Sequence, residues 1–247
     1  MGALFNVWVS TDDTNSSRNI LEVDQGGLDL AGPEFYLNKS ITEDKVLSAS
    51  LEYMTTLGVL LGGDKNDTRN YMYEVLDFQM AIANITTPGE ERQDEEKIYH
   101  KMTVEKLQNL APFINWVQYF NDRLTVVNIT IDSSEEVVVY APEYLEKLTG
   151  LVHSMLNDTN GRRILNNYMI WPVVRSFSNF LSKPFRDARN ILAKSLLGTV
   201  GSEESWRYCV MDTNRVLGFA LGAMFVEEAF QGDSKKKTIA IVSIKFD

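Results

Sequence analysis

The chain has 247 residues, 44% of them hydrophobic and 23% charged, which suits a folded domain with a sizeable core rather than a disordered or fibrous chain. Lys and Arg number 24 against 34 Asp and Glu, a net charge of −10 that argues against broad electrostatic attraction to nucleic acid or anionic lipid. The longest apolar run, Leu217 to Val226, is about half of the ~20 residues that span a bilayer, and the first residues lack a cationic, signal-like segment. No membrane contact by this segment is therefore expected.

In chain order, Leu4 to Ser10 and Ile20 to Asp24 are β-prone runs separated by turn formers, and they read as a hairpin. Thr42 is a candidate N-cap for a helix carrying Val46, Leu47, Leu51, Met54 and Leu57, stopped by Gly62-Gly63. A second helix, 67–83, is expected to bury Met72, Val75, Leu76, Ile82 and either Gln79 or Met80. The charge run 90–97 reads as a solvated stretch, and Thr103 caps a short helix. Leu124 to Ile131 and Val137 to Tyr140, split by DSSEE, suggest a second hairpin.

Pro142 stands at a helix's first turn. Helical spacing then continues from Arg162 to Leu197, with kinks or breaks expected at Pro172 and Pro184. Ser205 to Phe230 is a further helix, with Trp206, Val210, Leu217, Leu221, Met224, Phe225 and Phe230 expected to face inward and Cys209 to be partly buried. The last stretch, Thr238 to Phe246, is strand-prone. The fold class expected is mainly α with small β-hairpins.

Catalytic chemistry is conspicuous by what is missing. His100 and His153 are the only histidines, and neither has a second imidazole one helical turn away, so no H-E-x-x-H zinc site exists in the sequence. Neither histidine lies in a nucleophile elbow, and LGGDKND and VDQGGLDL lack the phosphate-loop and dinucleotide spacings. No catalytic, cofactor-binding or metal-ligating residue is assigned.

The acceptor pattern N-x-S/T does stand out. It occurs at Asn15, Asn38, Asn66, Asn84, Asn128 and Asn157, where chance placement predicts roughly two. Six suggest a glycosylated surface and an extracellular or secretory location. The single cysteine, Cys209, has no partner within the chain for a disulfide.

Several blocks resemble, in order, the neprilysin and endothelin-converting-enzyme family of zinc metallopeptidases. They are LFNVWVSTDDTNS and ILEVDQGGLDL (4–30), LDFQMAIANIT (76–86), DEEKIYHKMT (94–103), VVVYAPEYLEKL (137–148), LNNYMIW (165–171) and SWRYCVMDTNRVLGFALGAMFVEEAF (205–230). The resemblance implies that residues 1–234 are part of the family's noncatalytic helical N-terminal lobe, and that 235–247, KKKTIAIVSIKFD, form a divergent tail. It implies an ectodomain of a type II membrane protein or a secreted enzyme, with the anchor before Met1 and the zinc helix, glutamate ligand and catalytic histidine in a catalytic lobe beyond Asp247. It also implies that Cys209 pairs with an upstream cysteine.

On that resemblance the parent is a zinc metalloendopeptidase acting on peptides, and this chain alone is expected to hold no zinc and to be inactive. The rival reading is a secreted noncatalytic protein that binds a peptide or a partner through the same lobe. An in-frame H-E-x-x-H downstream would separate the two.

Overall fold

The computed structural model describes residues 2–198, 205–230 and 232–243. The chain divides into two units, Met1–Thr199 and Val200–Asp247.

In the first unit, β1 (Phe5–Asp12) and β2 (Asn15–Gln25) form the expected antiparallel hairpin, in register from Phe5 opposite Gln25 to Ser10 opposite Ile20. The strands run further into the polar cluster than expected, because the turn narrows to Asp12–Thr14, where the Asp12 carboxylate accepts from the Thr14 N–H and hydroxyl. Two short strands, β3 (His100–Thr103) and β4 (Glu136–Val139), complete a mixed sheet in the order β1-β2-β4-β3. β4 runs parallel to β2 and antiparallel to β3.

The expected second hairpin is a misreading. Leu124 closes the helix Trp116–Leu124, and residues 125–127 make a single 3₁₀ turn ended by Asn128 at φ 53°. The β-branched run beyond it pairs with no strand. The Asn121 side chain both donates to the Ile131 carbonyl and accepts from its N–H, supplying the hydrogen bonds that a strand neighbour would otherwise provide. β4 instead takes β2 and β3 as partners, and Val137, Val138 and Val139 are fully buried.

Eight helices belong to the described part of this unit: α1 (Lys45–Leu60), α2 (Lys65–Ile85), α3 (Glu95–Ile98), α4 (Val104–Leu110), α5 (Trp116–Leu124), α6 (Pro142–Leu156), α7 (Thr159–Phe177) and α8 (Lys183–Leu197). Asp44 rather than Thr42 caps α1, accepting from the N–H groups of Val46 and Leu47. Gly62, at φ 103°, ends it as expected, since only glycine adopts that conformation cheaply. Thr103 caps α4 through its hydroxyl, and Pro142 opens α6. The charge run is largely exposed, although Arg92 pairs with Asp24 of β2 at 2.7 Å.

Helix α7 continues through Pro172 without a break. Leu165, Tyr168 and Trp171 bury on one side of that helix, so packing compensates for the donor that proline removes. The chain turns instead at 178–182, and Pro184 lies in the first turn of α8.

The core gathers Leu47, Leu51 and Leu57 of α1, Val75, Leu76 and Ile82 of α2, and the inner face of the sheet. Phe5, Phe113, Trp116, Tyr119 and Phe120 form an aromatic cluster, and the Trp116 indole N–H donates to the Ala111 carbonyl at 2.8 Å.

The opposite sheet face is polar. Its clasp takes one charge from each strand: Asp12 of β1, Arg18 of β2, Lys101 of β3 and Glu136 of β4. Lys101 Nζ lies 2.9 Å from Asp12 and 3.5 Å from Glu136, while Arg18 reaches Asp12 at 3.5 Å and Glu136 at 3.0 Å. Hydrogen bonds from Lys101, Thr14 and Tyr99 hold the buried Asp12 carboxyl well below the usual carboxylate range. Beside it, Trp8 stacks on Tyr140 with centroids 6.0 Å apart, the Tyr140 hydroxyl donates to Asp13 at 3.4 Å, and Glu22 is buried. Burial, with repulsion from Asp13 and Asp12, pushes the Glu22 carboxyl above its ordinary value.

The second unit holds α9 (Ser205–Ala229), interrupted at Leu217, whose φ is −121° and ψ 32°, and α10 (Ser234–Ser243). The inward face expected for α9 is absent: Trp206, Val210, Leu217, Met224 and Phe225 are exposed, Leu221 and Phe230 are half-buried, and Cys209 is exposed. Among the described residues of this unit only α10 accompanies α9, too little apolar surface to enclose a 25-residue helix. The strand-prone tail is also overturned as far as Ser243, since a helix satisfies its own backbone groups where a lone strand cannot. Residues 244–247 lie outside the described residues. Trp206–Ala229, 24 residues, is long and apolar enough to cross a membrane by length and composition, a candidate that the uninterrupted-run criterion missed; a core helix of a soluble protein meets the same test.

Two outcomes follow for stability. Because the folded state keeps the Glu22 proton to higher pH than the unfolded chain does, the contribution of Glu22 to stability falls as pH rises above the unfolded value of about 4.3. Glu22→Gln should therefore raise the melting temperature at neutral pH, with the gain vanishing in acid, whereas Asp12→Asn should lower it at neutral pH and converge with wild type as the pH falls. Parallel melting-temperature profiles for wild type and Glu22→Gln would contradict the first. Trp116→Ala should cost about 3–5 kcal/mol in denaturant titrations, and a loss below about 1 kcal/mol would contradict the aromatic cluster's role.

Candidate functional site

A half-buried polar constellation that joins remote elements centres on Asp29. Its Oδ2 accepts from Gln79 Nε2 of α2 at 2.7 Å and from the Trp171 indole N–H of α7. Its Oδ1 pairs with Arg175 at 3.0 Å, and the same guanidinium donates to the Asp29 carbonyl at 3.3 Å. Gln79 is buried, and its Oε1 accepts from the Tyr36 hydroxyl at 3.5 Å, which in turn accepts from the Leu30 N–H at 3.0 Å. The result is a closed circuit, Asp29–Gln79–Tyr36–Leu30, with α7 locked onto it by two side chains one helical turn apart.

Local sequence explains the positions. Gln79 lies four residues after Val75 and three before Ile82, on the buried stripe of α2, so the choice between Gln79 and Met80 falls to the polar residue. Trp171 follows Leu165 and Tyr168 on the buried stripe of α7, with Tyr53 packed edge-on at 5.7 Å. Burial pushes the Tyr36, Tyr53 and Tyr168 hydroxyls up, keeping them protonated donors. Tyr168 donates to the Ala3 carbonyl at 2.8 Å and Tyr144 to the Leu4 carbonyl at 2.6 Å, so α6 and α7 hold the chain just before β1.

This arrangement fastens remote elements together: both carboxylate oxygens of Asp29 are taken, one by a cation and one by two N–H donors. Asp29, Gln79 and Trp171 all lie in the blocks quoted above, but no spacing in the sequence linked them.

The two histidines sit apart from this circuit. His100 is exposed, with Nδ1 at 3.0 Å from the Ile98 carbonyl and 3.2 Å from that of Val139, and His153 is exposed in the last turn of α6. Among the described residues no group of three or more His, Cys, Asp or Glu is placed to hold a metal. The residues present do not fit a zinc ion. Open grooves of about 840 Å³, beside α4 and α5, and about 550 Å³, between the start of α1 and the end of α8, carry no convergent catalytic set.

The six acceptor asparagines are all exposed: Asn15 at the start of β2, Asn38 in a turn at φ 57°, Asn66 and Asn84 in the first and last turns of α2, Asn128 after α5, and Asn157 at the C-cap of α6.

Comparison with known proteins places this architecture. The family model described as Peptidase family M13 matches residues 1–244. An endothelin-converting enzyme homolog of Locusta migratoria is 51% identical over 95% of this chain and 32% of its own length. Neprilysin-3 of Drosophila melanogaster is 46% identical over 94% and 30%, and human endothelin-converting enzyme 1 is 47% identical over 96% and 30%. The chain thus spans about a third of the length of these relatives. Among solved structures, an inhibitor complex of a zinc metalloprotease from Mycobacterium tuberculosis superposes with a TM-score of 0.79 at 20% identity, covering 98% of this chain and 35% of that one. PepO from Lactobacillus rhamnosis gives 0.79 at 15% identity, covering 97% and 36%. With the family model matching nearly the whole chain and relatives about half identical over it, the chain belongs to peptidase family M13 and covers its N-terminal region.

Proposed function

We propose that this chain is the noncatalytic N-terminal lobe of a neprilysin-like zinc metalloendopeptidase, and that peptide hydrolysis takes place in polypeptide outside residues 1–247. The observation that carries this reading is a combination. The family match spans residues 1–244, yet the sequence has two histidines and no H-E-x-x-H, and no described cluster could hold a metal. The lobe's role is then to pack against the catalytic lobe of the same polypeptide and to limit which peptides reach it.

In this reading residues 1–234 make the lobe and 235–247 its tail, and the protein works in the secretory pathway or outside the cell. The six exposed acceptor asparagines support that location. Cys209, exposed on α9, is the site for a disulfide to a cysteine upstream. The zinc that the family uses is held elsewhere, so no step of hydrolysis runs through this chain's own residues.

Purified chain should carry no stoichiometric zinc by elemental mass spectrometry and should leave peptide substrates intact, with or without added zinc. One zinc per chain, together with hydrolysis that a chelator abolishes, would overturn the proposal.

A further inference from the structure

Helices α6 and α7 meet at a tight corner. Gly161 is buried there, and a Cβ at that position would lie 2.4 Å from the Met155 carbonyl oxygen of α6, so the close approach of the two helices demands glycine. The residue before it, Asn160, is exposed, and no other asparagine in the chain precedes a glycine. Such a pair is chemically labile, because a nitrogen whose residue carries no Cβ approaches the asparagine side-chain amide carbon with little steric hindrance.

In this corner the nitrogen is already engaged. Asp158, the N-cap of α7, accepts the Gly161 N–H through Oδ2 at 2.8 Å, and its carbonyl accepts from the Arg162 N–H at 3.0 Å. Arg162 Nε also reaches back to the Leu156 carbonyl at 2.7 Å, which ties the turn to the end of α6. A carboxylate hydrogen-bonded to an N–H opposes loss of its proton, and helical backbone turns the nitrogen away from the preceding side chain.

We infer that Asn160 is a latched deamidation site, with Asp158 as the latch that sets its rate. When the first turn of α7 opens, the Gly161 nitrogen gives its proton to water and attacks the Asn160 side-chain amide carbon. The bond from that carbon to the amide nitrogen breaks, and the nitrogen takes up a proton and leaves as ammonia, so that a cyclic succinimide remains. Water adds to either ring carbonyl and the ring C–N bond opens, leaving aspartate or isoaspartate at position 160. Aspartate suits the first turn of a helix, whereas isoaspartate lengthens the backbone by a methylene and breaks the turn. The damage reaches inward, because α6 and α7 carry Tyr144 and Tyr168, which hold the chain before β1.

The test incubates the whole chain at mildly alkaline pH beside a free peptide of residues 155–165, with peptide mass spectrometry following each asparagine. Asn160 in wild type should convert roughly tenfold more slowly than in the peptide, the effect of one charge-assisted hydrogen bond. Asp158→Ala should bring Asn160 close to the peptide's rate while every other asparagine keeps its own. Asp158→Ser, which restores an acceptor, should recover most of the protection. Conversion in wild type at the peptide's rate overturns the inference. So does an Asp158→Ala chain that leaves Asn160 at the wild-type rate, or one that speeds all asparagines alike, since that is unfolding of the lobe and not release of a latch.

Discussion

The first unit depends on one half-buried carboxylate. Asp29 lies just after β2, 50 residues from Gln79 and 142 from Trp171, and it ties the chain leaving the sheet to two helices that are remote in sequence. A charge so enclosed is tolerated only when its hydrogen-bonding positions are filled, and Gln79, Trp171 and Arg175 fill them together. That requirement fixes how α2 and α7 are rotated about their axes. Arg163 adds a paired contact from α7 to Glu74 of α2, at 2.7 and 3.0 Å, with its guanidinium over the Tyr71 ring. The charge clasp of Asp12, Arg18, Lys101 and Glu136 secures the four strands in turn.

Within the proposed function, such a framework suits a lobe that shapes a peptidase without performing its chemistry. The blocks shared with the family supply Asp29, Gln79, Tyr144, Tyr168 and Trp171, all engaged in holding elements together. In that sense the family signature in this region is a folding signature. The grooves on the first unit are open to solvent, and within the proposal substrate specificity arises from how the lobe closes over a site held elsewhere.

Features set by local chemistry were legible in the sequence. Thr103 and Pro142 open helices, Gly62 closes one, and the alternation of β1 and β2 makes a hairpin. Features set by distant partners were not. The β-branched run through Val126 and Ile129 has strand propensity, but Asn121 supplies hydrogen bonds to Ile131 and no neighbouring strand competes. The same propensity in Thr238 to Ser243 yields a helix, again for want of a strand partner. Asp44 displaced Thr42 as a cap because its carboxylate reaches two N–H groups at once. The Asp29 circuit was invisible because a lone Asp and a Gln on an apolar stripe carry no mark of each other.

The central claim is that Asp29 couples the segment after β2 to α2 and α7 as one cooperative unit. Native-state hydrogen exchange on wild type and Asp29→Ala tests it directly. The account predicts that the slowest amides of α2 and of residues 165–175 in α7 lose protection together and by equal free energies, with those at 28–30 following them. Loss confined to residues near 29, with α2 and α7 still protected to the wild-type level, would contradict it.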